Sequence, residues 1–499
     1  MIEWSQHLPV LQVVVPLIVA PIIVLFRNKN IAWFLATATA FFSLYTSIEL
    51  LTIVQESGPI DYAIGNWERH VGIVYHIDIA NAYILTIVSA VSAFVFPYSY
   101  HSIQQEIPEY KLHHFYAALV LCLTGLLGIA ATGDAFNVFV FLEISSLSTY
   151  ALVAMGDKPG KPPRASLAAY RYLIMGTIGG TFILLGIGFL YMMTGTLNMA
   201  ELSEKLPALS DTSTVRAAFA FITVGASIKL ALFPVHTWLP NIYTHAPNVV
   251  SAFLSSTATK VSYYVLLRAM YTLFGAALAA QALQLKLLIG PMALVAIFLG
   301  SFNAIKQTNI KKILAFSSVA QIGYMVLGLS MNNLDGLTGG LIHLFNHALM
   351  KGGLFMAVGC MFYRYQSVEL SDLKGVGRTM PFTTFAFVLG GLGLIGVPLT
   401  AGFISKWYLV LGAFEADVWW LAILILIASL MAVMYIFKVI ETAYFQEPNT
   451  DIEVSEAPLS MLVPTYALVL ASVYFGIFTE PMLGAAREAA EMFLSAGGM

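Results

Sequence analysis

The sequence predicts an all-α polytopic membrane protein of about fourteen transmembrane helices. Three observations carry that prediction. The 499 residues are 59% hydrophobic, with a mean hydropathy of +0.81. Only 10% of them are charged, against roughly 25% in a soluble globular chain, too few to clothe a water-facing surface. The apolar residues fall in runs of about 20, the length that crosses a hydrocarbon core about 30 Å thick. Barrel strands require alternation over about ten residues, and stretches such as FAFITVGASIKLALF lack it. Helices are therefore the spanning element.

In chain order, residues 1–113 form an N-terminal segment with spans near 8–26, 31–54 and 77–97. The start, MIEWSQHLPVLQ, carries an acid and no Lys or Arg, so the first span is expected to stay rather than to be removed as a signal peptide. Five spans follow within 114–275, near 114–132, 134–155, 167–194, 216–240 and 248–275. Five more lie within 283–444, near 283–304, 309–330, 335–363, 380–413 and 418–444. A last span near 458–478 and a tail complete the segment 445–499. The two five-span blocks are equal in length and each has a proline break in its fourth span, at Pro234 and Pro398. An odd number of spans makes the second block start on the opposite face, which is the arithmetic of an inverted repeat with broken seventh and twelfth helices. Coincidence of span boundaries is the alternative.

Basic residues set the orientation. Connections after odd spans hold thirteen Lys and Arg, including Arg27, Lys158, Lys161, Arg164, Lys306, Lys311 and Lys438, and those after even spans hold five, including Arg69, Lys205 and Lys286. This places both termini outside the cytoplasm. Six more, Arg171, Lys229, Lys260, Arg268, Lys351 and Lys406, lie inside spans. With a net charge of −3 and no long charged run, the chain has no footprint for nucleic acid. Cys122 and Cys360 stand far apart in apolar helices, as packing residues rather than a disulfide or zinc site.

The charges inside spans point to function. Glu143 stands nine residues after Asp134, about 14 Å into the bilayer at 1.5 Å per residue. Lys229, Lys260 and Lys351 are similarly remote from their span ends. Each ionised group facing lipid at the bilayer centre costs about 2.5–3.5 kcal/mol or more, so these groups must pair, hydrate or face one another. Glu143 is the natural partner for Lys229. A static ion pair is the structural alternative, but one glutamate cannot neutralise four lysines, so some of them shed a proton or are hydrated part of the time. An unpaired buried amine of that kind can carry protons. His343, His347 and Lys351 recur at i, i+4 and i+8 on one helix face, with Asn346 alongside, a ladder that can pass protons through intervening waters. Two His at i and i+4 are also half a metal site, but no carboxylate or third His completes it, and no metal is expected.

The breaks in FPVHTWLP and IGVPLTAGFISKW expose carbonyls that only protein or a wet cavity satisfies. Lys229 and Lys406 flank them. His236 and His245 beside the first break, and Asp134, are candidates for an access route; proline kinks made for packing and interfacial histidines are the alternatives. Gly391, Gly393 and Gly396 match GxGxxG, but in an apolar helix with no preceding strand they serve close packing or loosen the helix before Pro398. The sequence shows no cofactor motif.

The fragments FLEISSLSTYAL, IKLALFPVHTWLP, THAPNVVSAFLSSTATKV, NIKKILAFSSVAQIGY, LIHLFNHALMKGGLF and PLTAGFISKWYL closely resemble the antiporter-like subunits. These are the D-type component of multisubunit Mrp cation/proton antiporters and the related proton-pumping subunits of respiratory complex I and membrane-bound hydrogenases. The resemblance covers spans four to thirteen. It implies fourteen helices, two inverted five-helix repeats and a hydrophilic axis at mid-membrane. By motif match Glu143 and Lys229 take the family's Glu and Lys pair, Lys260 and His347 the connecting positions of helices eight and eleven, and Lys406 the terminal lysine of helix twelve. The M-type subunit usually has a glutamate where Lys406 stands, and the L-type and A-type chains carry long C-terminal extensions, which favours the D-type subunit with the N-type behind it. Asn241 stands where many relatives have Asp. The expected function is proton exchange for a monovalent cation, Na⁺, by a subunit of a hetero-oligomer in a prokaryotic cell membrane. A proton-pumping module of a redox complex is the alternative, and a scaffold-only role leaves the costly charges idle.

Overall fold

The computed structural model describes residues 4–69, 71–157, 160, 162–275, 287–448 and 455–495. Lys158, Lys161 and Lys286, counted for orientation, lie outside them, as do residues 283–286 of the ninth predicted span and parts of the tail. The chain is an all-α integral membrane protein, and twelve helices among the described residues are long and apolar enough to cross a bilayer.

The helices are α1 (Leu8–Phe26), α2 (Lys29–Ser57), α3 (Ile79–Ser102), α4 (Leu112–Ala131), α5 (Ala135–Ala154) and α6 (Arg164–Thr194), then short α7 (Met199–Lys205). The seventh predicted span is α8 (Ser213–Leu230) and α9 (Trp238–His245), and the eighth is α10 (Asn248–Ser256) and α11 (Ala258–Leu267), ending in a π-turn over Arg268–Leu273. There follow α12 (Ile289–Lys306), α13 (Ile310–Met331), α14 (Leu334–Tyr365), α15 (Pro381–Ile395), α16 (Ala401–Glu415), α17 (Trp420–Tyr444), α18 (Leu459–Ile477) and α19 (Glu480–Ser495).

The break in the seventh span falls where the proline predicts it. Helix α8 ends one residue after Lys229, Ala231 turns left-handed at φ 61°, and the indole of Trp238 donates to the Ile228 carbonyl at 2.9 Å. The twelfth span is likewise split, with Gly396 left-handed at φ 86°. The eighth span, expected to be one helix, is a correction. It is interrupted at Thr257 (φ −124°, ψ −58°), in a Ser-Ser-Thr run whose hydroxyls compete with the backbone ladder, Thr257 donating to the Phe253 carbonyl at 2.7 Å.

A β-hairpin, β1 (Ile60–Ala63) with antiparallel β2 (Val74–Ile77), precedes α3 in the register Ile60↔Ile77, and Tyr75 bridges to Thr132 in the loop before α5. This gives the bundle a hairpin face. His7, before α1, meets Tyr62 of β1 at 3.0 Å, and Phe493 of α19 lies over Arg268, so both ends of the described chain sit on that face. The two fully split spans are entered from opposite faces. Helix α8 starts beside α7 on the hairpin face, whereas the start of α15 meets Glu456, which also binds Arg364 at the far end of α14.

Helix α14 is the centre of the bundle. It packs against α3, α10, α13, α15, α16, α18 and α19, and 94% of its apolar window is buried, against 39% for α1. Close packing depends on small residues. A Cβ on Gly402 of α16 would overlap the Gly393 carbonyl of α15, so the halves of the twelfth span cross at contact only because that residue is glycine.

Arg171, read as lying inside a span, lies within α6 and is exposed two turns from its start. One charge assignment is corrected. Lys438, read as a loop charge, lies within α17 and donates to the carbonyls of Ile305 (3.1 Å) and Gln307 (2.8 Å), closing the end of α12.

Candidate functional site

A row of buried ionisable groups runs through the middle of the bundle. At one end the Lys229 ammonium lies 3.4 Å from the Glu143 carboxylate of α5 and donates to the Ser146 hydroxyl at 2.7 Å. The lysine side chain is 4% exposed and the glutamate 25%, so the carboxylate is the member with access to its surroundings. Room for it comes from α6, where a Cβ on Gly180 would overlap the Glu143 Oε1 atom.

Lys260 is fully buried just past the unpredicted break. Its ammonium donates to the Ser255 carbonyl freed by that break, with the Thr259 hydroxyl at 3.4 Å. Gly352 of α14 packs against Ser256 there, which brings the Lys351 turn up to the interruption.

On α14 the rings of His343 and His347 stack with centroids 6.4 Å apart and planes 13° from parallel. His343 is held at both nitrogens, by Ser405 (2.9 Å) and Gln321 (2.9 Å). His347 is equally buried, yet both of its nitrogens lack a hydrogen-bond partner among the described residues. A buried polar group normally has a partner, and an orphaned one calls for a role. Lys351 donates to the Leu314 carbonyl at 2.8 Å and to the Ser317 hydroxyl, both on α13. At the other end Lys406 donates to the carbonyls of Ile395 (2.7 Å) and Leu394 (3.4 Å), which end α15, and to Ser429 of α17 (2.9 Å), while its ammonium lies 5.0 Å over the Tyr324 ring. Apart from Lys229, no lysine of the row has an acidic partner among the described residues.

The suggested access residues do not form one route. Asp134 caps α5 on the hairpin face, accepting from the Asn137 amide at 2.7 Å, and its burial raises its pKa above the ordinary carboxylate value. The His245 carbonyl lies beside Gly156, past the other end of α5, a helix of about 30 Å at 1.5 Å per residue. His236 is buried at the first break against Phe233, its Nδ1 without a hydrogen-bond partner among the described residues.

Sequence reasoning missed the supporting cast, Ser146, Gln321, Ser405 and Ser429, which no spacing connects to the ions they hold. It also missed the partner of Arg268. That guanidinium pairs with Asp78 at 2.5 Å, and both side chains are buried. A signal existed: Asp78 and Asn81 form a capping box at the start of α3.

Fold and site together define a polytopic helical membrane protein of the antiporter-like class. The chain belongs to the family described as "NADH:quinone oxidoreductase/Mrp antiporter, TM", which residues 132–432 match. It is 40% identical over 496 residues to the N-type component of the NADH-quinone oxidoreductase of Desulforudis audaxviator (strain MP104C), covering 96% of this chain and 97% of that one. It is 26% identical over 495 residues, 98% of this chain and 97% of the relative, to the D-type component of a Na⁺/H⁺ antiporter of Alkalihalophilus pseudofirmus. A chain in the membrane-bound sulfane sulfur reductase, an archaeal respiratory membrane complex, superposes with a TM-score of 0.90 at 27% identity, covering 99% of each. A chain in the Mrp complex from Dietzia sp. DQ12-45-1b shares the fold, with a TM-score of 0.90 at 23% identity over 99% of this chain and 98% of that one.

Proposed function

We propose that the chain is the proton-translocating subunit of a hetero-oligomeric membrane complex, carrying protons along Glu143, Lys229, Lys260, His343, His347, Lys351 and Lys406. The observation that supports this most is the pattern of partners. One lysine faces a carboxylate, and the others are held by hydroxyls and by carbonyls of interrupted or neighbouring helices. A buried charge held for stability alone takes a full counter-charge, because leaving it without one is costly. A proton-carrying site needs partners that bind the ammonium and release the neutral amine. The fourteen-span count, the blocks 114–275 and 283–444 as inverted repeats, and both termini outside a prokaryotic cell membrane belong to the same reading. Breaks entered from opposite faces and chain ends on one face support it.

Exchange of H⁺ for Na⁺ in an Mrp-type complex is the first reading of how the movement is driven. The second, redox energy supplied by quinone- or hydrogen-handling partner subunits, is favoured by one observation: identity is higher to the N-type relative, at 40%, than to the D-type relative, at 26%. Purifying the intact complex, identifying its subunits and measuring ΔpH in vesicles tests both. Small antiporter subunits with Na⁺-dependent ΔpH support the first reading, and iron–sulfur partners with redox-driven ΔpH the second. Absence of any proton movement by a complex that contains the chain removes both.

A further inference from the structure

A second ionisable cluster lies on the hairpin face, away from the row above. His76 of β2 stands between two carboxylates, its Nδ1 2.6 Å from Asp61 and its Nε2 3.6 Å from Asp78. Exposure falls inward along this series: the side chains of Asp61 and His76 are each 39% exposed, Asp78 4%. Asp78 takes both its oxygens to Arg268, at 2.6 and 2.5 Å, and Arg268 Nε donates to the Tyr264 hydroxyl at 2.9 Å. That hydroxyl also accepts from Asn81 at 2.9 Å and donates to the Ala130 carbonyl at 3.3 Å. The cluster borders a cavity of about 150 Å³ lined by Asp61, Arg69, His76, Asn81, Tyr264 and Arg268, room for roughly five waters.

Lys260, Tyr264 and Arg268 recur at i, i+4 and i+8, so one face of α11 and its π-turn runs from the buried lysine to this cavity. The step from Lys260 to Tyr264 is about 6 Å of helix rise. A static clamp pinning the hairpin to α11 accounts for Asp78 and Arg268 but not for the imidazole. With Asp61 and Asp78 balanced by Arg69 and Arg268, the cluster is already neutral, and His76 adds a titratable group at its wet edge.

We propose that Asp61, His76 and Asp78 form a proton port that exchanges protons between the aqueous phase on the hairpin face and Lys260, through the cavity and past Tyr264. The port rests on the reading of Lys260 as a proton carrier. A proton taken up at Nδ1 from the Asp61 side is balanced by release of one from Nε2 toward Asp78 and the cavity. The imidazole is left as the other tautomer, which a ring flip or a return proton resets. The Asp78 carboxylate 3.6 Å away, and then Asp61, hold the His76 pKa above the ordinary imidazole value, against its burial and the Arg268 charge. The remaining lining from α7 and the α4–α5 loop, such as Thr132, Asn198 and Ser203, carries no titratable group.

The test uses the complete complex in proteoliposomes, with pH varied on the hairpin face and assembly of the complex checked for each variant. Wild type is expected to show an inflection in transport rate above the ordinary imidazole pKa. His76→Asn is expected to lose that inflection and to slow by about a hundredfold, the lower end of what a positioned proton-transfer group contributes. Asp61→Asn, a half-exposed change, is expected to move the inflection to lower pH, since one carboxylate no longer favours the imidazolium. An assembled His76→Asn complex with the wild-type rate and profile overturns the port, and so does an unmoved inflection in Asp61→Asn. Lys260→Ala, run in parallel, separates the two levels. If it stops transport while His76→Asn does not, the port is wrong and the central row stands. If it transports normally, the carrier reading of Lys260 falls and the port with it.

Discussion

Lys229 and Lys406 sit at the two proline breaks, yet different chemistry holds them. Lys229 ends the first half of its span and reaches a carboxylate and a hydroxyl on α5. Lys406 lies in the second half of its span and reaches back to the carbonyls that end the first half. In one case the partner is a charge on another helix, and in the other it is the backbone of the broken span itself. Proton affinity at Lys229 therefore responds to where Glu143 stands, and at Lys406 to how α15 and α16 meet. If both are proton sites, they are switched by different motions.

The largest expected effect is at the paired site. Glu143→Ala or Lys229→Ala should lower vesicle ΔpH formation by about a hundredfold or more, with assembly retained, because the surviving member is stranded or fixed in one protonation state. An assembled mutant with wild-type transport ends the switch role.

Next comes Lys406. Arginine keeps the charge but cannot release its proton at physiological pH, so Lys406→Arg should be nearly as damaging as Lys406→Ala. Full activity in the arginine variant, at matched expression, sinks the carrier assignment and makes the contrast with Lys229 one of structure only.

A smaller loss is expected from Gly180→Ala, which changes no charge. Its Cβ would overlap the Glu143 Oε1 atom and must push the carboxylate aside. Transport should drop by about tenfold, since misplacing a reacting group by an ångström is costly. Gly188→Ala on the same helix, where a Cβ meets nothing within 4 Å, is the matched control and should be neutral. Equal rates for the two would show that the distance between Glu143 and Lys229 does not matter.

The smallest difference is between two replacements of His347. Its nitrogens have no hydrogen-bond partner among the described residues to lose, so a packing role predicts the same deficit for His347→Lys and His347→Leu. A relay role predicts several-fold more activity in the lysine variant, because only lysine can still take up and release a proton. Transport rates of the two at equal assembly decide between them.

Much of the site was legible in the sequence because lipid makes charge conspicuous. Glu143, Lys229, Lys260 and Lys351 stand out in any apolar run, and the Glu143–Lys229 pairing followed from scarcity of acids. The break at Thr257 was not legible, since it has no proline and arises from hydroxyl and ammonium competition for carbonyls around Ser255. Asp78 was overlooked because it stands at a helix start, where an aspartate reads as a cap, and Arg268 lies 190 residues further on.

Composition and periodicity by themselves determined a helical membrane protein and the positions of its intramembrane charges, because the cost of burying charge in hydrocarbon is local to each span. Tertiary structure alone decided which lysines take carbonyls, that the His347 nitrogens have no hydrogen-bond partner among the described residues, and that Asp134 and His245 lie at opposite ends of α5. Those outcomes depend on how separate helices approach one another, through contacts such as Gly180 against Glu143 and Gly402 against Gly393. No local pattern encodes them.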